Sequence, residues 1–174
     1  VECDVNVPSG ESLIRQLLYG KRFWKDEFGY EQEIMWIPDV FGYNAQLPQI
    51  MSKAGIKYFL TIKMSWNAVN KFPHSTFNWV GLDGTEILTH MPPEGNYNSA
   101  ARAESFISTE DRYMERGIDD RAMLLFGIGD GGGGPGMEHL ERLHREYDLI
   151  GLPKVKQQFA IDFFNEIARD KDKF

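Results

Sequence analysis

The sequence has 174 residues, 42% hydrophobic and 26% charged, with a formal net charge of -7. That length suits one globular domain with a sizeable core and is short for two. The acidic balance and the lack of a Lys/Arg cluster argue against a nucleic-acid backbone as partner, since affinity for phosphates comes mostly from cationic side chains. The single cysteine, Cys3, excludes an internal disulfide and a Cys-rich zinc motif. No apolar run reaches the ~18 residues needed to span a bilayer, so a membrane partner is not expected.

The opening VECDVNVPSGES has no initiator Met and reads as the end of an extended segment, so the sequence is expected to be part of a longer chain. Ser9 is placed to cap a helix through LIRQLLYGKRFWKDEF, with Glu11 in its first turn and apolar residues at Leu13, Leu17, Leu18 and Phe23. Gly29 is its stop. EIMWI, residues 33–37, has strand length; Asn44 then caps a helix through Leu47, Ile50 and Met51 that ends at Gly55. KYFLTI, residues 57–62, is the next strand. TFNWV and TEILTH, residues 76–80 and 85–90, flank a Gly-Leu-Asp-Gly hairpin turn.

A polar helix is expected from about Ala101 to Arg116, then a buried strand at AMLLFGI, residues 122–128, running into GDGGGGPG. Met137, Leu140, Leu143 and Ile150 lie near helical spacing, and a last helix covers Gln157 to Ala168. Strands alternating with helices imply an α/β fold: a mostly parallel sheet or an incomplete α/β barrel, with one inserted β-hairpin, in a single domain over residues 1–174. Loops that follow parallel strands gather at their carboxyl ends, where ligands bind. Asp39 and Asp130 both follow strands, and two carboxyls across one pocket suit acid/base and nucleophilic work on an acetal.

Plainer readings compete at each position. Asp39 is also what a cap or Asx-turn before a helix looks like. The glycine run lacks the Lys-Ser/Thr of a phosphate loop and the spacing of a dinucleotide fingerprint; it reads as a flexible loop, or as backbone that a ligand approaches closely. His74, His90, His139 and His144 form no metal-binding pair. Trp36, Trp66 and Trp79 read as core or hairpin aromatics, although Trp66, in KMSWN, also suits the wall of a sugar site.

Trp36-Ile37-Pro38-Asp39-Val40-Phe41-Gly42-Tyr43 with Leu47-Pro48-Gln49-Ile50 resembles the α-mannosidases of glycoside hydrolase family 38. The resemblance extends from Pro8-Ser9-Gly10-Glu11-Ser12 through Lys63, Trp66-Asn67, Asn70-Lys71-Phe72-Pro73, Thr89-His90-Met91-Pro92-Pro93 and Tyr97-Asn98 to Gly129-Asp130-Gly131 and the following glycines. It covers roughly residues 1 to 150. It implies retaining, metal-assisted hydrolysis of α-mannosidic bonds, with Asp39 as nucleophile and ligand of a zinc or other divalent ion, and Asp130 as acid/base in a loop where some members use a second Asp, here Gly131. Phe41, Lys63, Trp66 and Tyr97 are the implied substrate-binding residues, Lys63 standing where some members carry an arginine and offering a point charge in place of a bidentate fork.

The resemblance also implies a His-x-Asp pair upstream and a further His downstream as zinc ligands, and neither is matched in these 174 residues. The chain is therefore expected to be a central part of a larger catalytic domain, weak in zinc binding and activity by itself. An α-mannoside is the implied partner. A cytoplasmic location is implied by likeness to the non-secreted branch of the family and by the lack of disulfide potential. The alternative is a catalytically silent carbohydrate-binding or structural module, with Trp66, Trp79 and Tyr97 against sugar and Asp39 only a cap.

Overall fold

A computed structural model describes residues 3–174. Two residues of the expected extended opening, Val1 and Glu2, lie outside the described residues. The rest of that opening is a series of bends, in which Asp4 Oδ1 accepts from the N–H groups of Asn6 and Val7 while Cys3 and Val5 enter the core.

Helix α1 spans Gly10–Phe28. Ser9 accepts from Ser12 N at 3.3 Å, and Gly29, at φ 65°, closes the helix by donating to Lys25 O. A side chain would strain that left-handed turn. Only the Leu13–Leu17 stripe packs inward; Leu18 and Phe23 face solvent. Lys21 ties the helix to the sheet by donating to Gln32 O and Gly55 O.

Four strands form one sheet in the order β1-β2-β4-β3, with β1 at Ile34–Trp36, β2 at Tyr58–Leu60, β3 at Thr76–Val80 and β4 at Glu86–His90. β1 pairs with β2 and β2 with β4 in parallel, while β3 and β4 make the expected antiparallel hairpin. The fold is therefore α/β with a mostly parallel sheet. Side chains alternate across it. Met35, Phe59 and Ile87 pack toward α1 and α2 (Leu47–Lys53); Ile34, Trp36, Tyr58, Leu60 and Leu88 pack toward α5 (Ala160–Ile167), through Phe163, Phe164 and Ile167. Both faces are covered at β1 and β2, which is why those two strands read as unbroken apolar runs. A third cluster joins α3 (Ala103–Arg112) to α4 (Met137–Glu146) through Phe106 and Leu143.

Several expectations are corrected. Asn44 does not cap α2: its Nδ2 donates to Val5 O at 2.5 Å, and the helix begins three residues later with Pro48 in its first turn. Residues 122–128 form no sheet strand. They run extended with a single parallel bridge, Ser99 to Phe126, because no neighbouring strand offers a ladder there. Ile150 falls beyond α4 and is 100% exposed. The last helix is shorter than expected and continues as a 3-10 turn, Ala168–Lys173.

Glu115 supplies the main polar staple between the hairpin and the chain after α3. Its buried carboxylate accepts from Ser75 N at 3.0 Å, from Thr76 N at 2.9 Å and from His74 Nδ1 at 3.2 Å.

Candidate functional site

β1, β2 and β4 point the same way, so the segments after them emerge at one end of the sheet. Asp39 lies three residues beyond β1, Lys63 three beyond β2, and Tyr97 in the loop after β4. Asp130 follows segment 122–128 and reaches the same end, beside Tyr97.

Asp39 and Lys63 meet directly, Lys63 Nζ standing 2.6 Å from Asp39 Oδ1. The lysine side chain is 5% exposed and the aspartate side chain 40%. A sequestered ammonium needs compensation. Asp39 supplies it, together with three aromatic rings: Nζ is 3.2 Å from the ring centre of Trp66, 5.2 Å from Phe41 and 5.4 Å from Tyr97. The 3-10 turn Lys63–Trp66 places the lysine and the tryptophan together, and Trp66 Nε1 donates to Gly95 O at 2.8 Å, which fixes the indole against the β4 loop.

Tyr97 bonds one carboxylate and lies near the other. Its hydroxyl donates to Asp130 Oδ1 at 3.1 Å and also feels Asp39. Desolvation of the ring, then the hydrogen bond to Asp130 and the negative charge of both aspartates, push the phenol above its ordinary value, so it remains a proton donor at neutral pH. Asp130 itself stands at φ 58°, a left-handed conformation uncommon for a residue with a side chain. All six residues singled out by the sequence, Asp39, Phe41, Lys63, Trp66, Tyr97 and Asp130, thus form one connected constellation.

Two positioning residues went unrecognised in the sequence. Tyr43 donates to Val40 O at 2.7 Å and bonds Thr61 Oγ1, bracing the loop that carries Asp39 against the end of β2. Burial pushes its hydroxyl up, and the Asp39 charge adds to this. Gly129 has no room for a side chain, because a Cβ there would lie 2.5 Å from Tyr97 Cε2. The first glycine of the run therefore lets Tyr97 approach the backbone; the motif carried this signal, but not the identity of the partner.

Phe41 and Trp66, 72% and 58% exposed, border a recess of about 450 Å³ whose floor includes Lys63. A larger groove of about 920 Å³ runs from Tyr97 and Gly129 along Leu124 and Phe126 toward Phe159. The smaller recess adjoins the nucleophile candidate and the larger one the acid candidate, so neither holds the whole site. Among the described residues no three His, Cys, Asp or Glu side chains come together to hold a metal ion. Asp39 offers one carboxylate, which alone does not make a metal site. Among the described residues no helix is long and apolar enough to cross a membrane.

The family model described as glycosyl hydrolases family 38 N-terminal domain matches residues 1–174. The chain belongs to this family. Similar sequences include Alpha-mannosidase G of Dictyostelium discoideum, 46% identical over 99% of the chain, and Alpha-mannosidase 2C1 of Mus musculus, 47% identical over 98%. Alpha-mannosidase of Saccharomyces cerevisiae is 42% identical over 97%. The chain spans 16% of the length of each. The crystal structure of an alpha-mannosidase from Enterococcus faecalis V583 shares the fold, with a TM-score of 0.73 at 17% identity, over 98% of this chain and 20% of that one. The family-38 match is to an N-terminal domain, which corrects the expectation of a central part of the catalytic domain. That expectation was built on absent ligand motifs, and absent motifs do not measure position along a protein.

Proposed function

We propose that the protein carrying this family-38 domain is an α-mannosidase that hydrolyses mannose-containing glycans with retention, using Asp39 as nucleophile and Asp130 as acid/base. The observation that carries this reading is the connected set Asp39, Lys63, Tyr97 and Asp130 at the end of the parallel strands: Lys63 Nζ lies 2.6 Å from Asp39 Oδ1 and 5.4 Å from the Tyr97 ring centre, and the Tyr97 hydroxyl donates to Asp130 Oδ1 at 3.1 Å. In the first step an Asp39 oxygen bonds to the anomeric carbon as the glycosidic C–O bond breaks, and the Asp130 proton passes to the leaving oxygen. Because Oδ1 of Asp130 accepts from Tyr97, the transferable proton belongs on Oδ2. In the second step water attacks the same carbon, gives its proton to Asp130, and the ester bond to Asp39 breaks. Phe41 and Trp66 present apolar faces to the sugar, and Lys63 compensates the charge of Asp39 between turnovers.

A zinc or other divalent ion belongs to this proposal only through Asp39, as one ligand of a set completed by residues outside these 174. The sugar-binding alternative accounts for Trp66, but Trp79 packs on Phe59 in the core, and that alternative gives no reason for Lys63 on Asp39 or for Tyr97 on Asp130. The test is a 5-fluoro mannosyl fluoride, which leaves a slowly hydrolysed ester on the nucleophile. Peptide mass spectrometry of the full-length protein should locate the sugar on Asp39; a label elsewhere, or none, rejects the assignment. The cytoplasmic location is also proposed, and imaging of the tagged full-length protein checks it.

A further inference from the structure

His90 ends β4 and is fully buried. It touches neither aspartate. Met123 N donates to its Nε2 at 3.1 Å, which places the ring hydrogen on Nδ1 and directs it to Thr76 Oγ1 at 2.9 Å. Thr76 is left free to donate to the Tyr113 hydroxyl at 3.2 Å. Burial drives the imidazole down to about 3 against the opposing charge of Asp119, so the ring stays neutral and this tautomer persists across the physiological range. Phe163 packs edge-on against the ring at 4.8 Å, which fixes its plane.

The segment that His90 grips is the one leading to Asp130. Residues 122–128 lack a strand ladder, and Ser99 is their other backbone partner: Ser99 N donates to Leu125 O at 3.0 Å and Gly127 N to Ser99 O at 3.4 Å. Ser99 belongs to the loop that carries Tyr97, so on its own it would let loop and segment shift together. Met123 and Leu125 also pack in the apolar cluster with Leu60 and Leu88, but such contacts allow sliding; among the described residues the Met123 N–H is the hydrogen bond that fixes the segment's register to the sheet, on which Asp39 is also carried. Asp130 follows Met123 by seven residues of extended or turning backbone.

We propose that His90 is a positioning residue that sets the reach of Asp130 toward the leaving oxygen by anchoring Met123 to the end of β4. This rests on the α-mannosidase reading. A loss confined to acid assistance has a signature that general loosening lacks: leaving groups that need protonation suffer, and those that do not are spared.

The test compares kcat/KM of the full-length protein for a mannose disaccharide and for 2,4-dinitrophenyl α-mannoside. His90→Leu should lower the first by about 100-fold, within the range of general-acid catalysis, and the second by less than about 3-fold. His90→Gln, whose amide oxygen accepts from Met123 N, should restore most of the loss. Equal losses on both substrates, or no restoration by glutamine, overturn the proposal. If His90→Leu does not fold, Thr76→Val, which removes the acceptor of Nδ1–H together with the bond to Tyr113, carries the test: a larger loss on the disaccharide supports it and an unchanged ratio overturns it. Asp130→Asn is the control. A ratio unmoved by Asp130→Asn rejects the acid/base reading itself, whereas one moved by Asp130→Asn but not by the His90 variants rejects this inference alone.

Discussion

Lys63 holds its ammonium 2.6 Å from Asp39 Oδ1, inside a ring formed by Phe41, Trp66 and Tyr97. The pair therefore belongs to the site's electrostatics rather than to the solvated surface, where such contacts contribute little. Lys63→Met keeps the apolar stem among the rings and deletes the charge. Stability should change by less than about 1 kcal/mol, since the Asp39 side chain is 40% exposed and stays hydrated without its partner, while the sequestered ammonium is gone. The kcat/KM of the full-length protein should fall by about 100-fold, because Lys63 holds the attacking oxygen in place and a small misplacement of a reacting group can cost that much. Urea denaturation and steady-state kinetics check the two halves; wild-type kinetics would make the pair incidental.

Gly129 and Gly131 make an internal comparison two residues apart. A Cβ on Gly129 meets Tyr97 Cε2 at 2.5 Å, whereas one on Gly131 meets nothing within 4 Å. Gly129→Ala must displace the Tyr97 ring and with it the bond to Asp130. Activity should drop by about 10- to 100-fold, comparable to misplacing a general acid. Gly131→Ala should stay within about threefold of wild type, as expected where no contact changes. The reverse order, or equal loss, would show that mobility of the run matters more than the approach of Tyr97.

How much of this was legible in the sequence depends on how far each residue's partner lies along the chain. α1 was readable because Ser9 and Gly29 act on backbone within a turn of themselves. β1 and β2 were readable because both of their faces are covered by apolar clusters, and the hairpin because its turn residues lie beside each other in the sequence. The six site residues were reached through motif resemblance, and their meeting point through the rule that loops after parallel strands converge. Asn44 misled because its side chain serves Val5, 39 residues away, instead of the helix beside it. Residues 122–128 misled because an apolar run looks the same whether or not a neighbouring strand is present. Glu115 and His90 gave no local signal, for their partners are 39 to 41 and 14 to 33 residues distant.

Glu115 predicts a large and purely structural effect. Its carboxylate is the partner of two backbone N–H groups in the buried start of β3. Glu115→Ala leaves both without an acceptor and should cost about 2–4 kcal/mol, one unsatisfied buried donor costing roughly 1–3. Glu115→Gln keeps one carbonyl oxygen and should lose about half as much. Thermal melting of the variants gives the order; a melting temperature unchanged in Glu115→Ala would mean that water replaces the carboxylate.

His90 predicts the sign of a pH dependence. Its imidazole sits at about 3 when folded and near 6.5 when free, so between these values the unfolded chain binds a proton that the folded chain refuses. Stability conferred by the neutral ring is complete above about 6.5 and declines as the pH falls toward 3, by about 1.4 kcal/mol per unit. Asp119, whose negative charge favours the protonated ring, lessens the decline without reversing it. His90→Gln has no titration there. Between pH 6.5 and 5 the wild-type full-length protein should lose about 2 kcal/mol more than the variant in urea midpoints converted to free energy. Parallel losses would mean that the ring takes up its proton while folded, and an imidazolium could not accept the Met123 N–H that holds the Asp130 segment to the sheet.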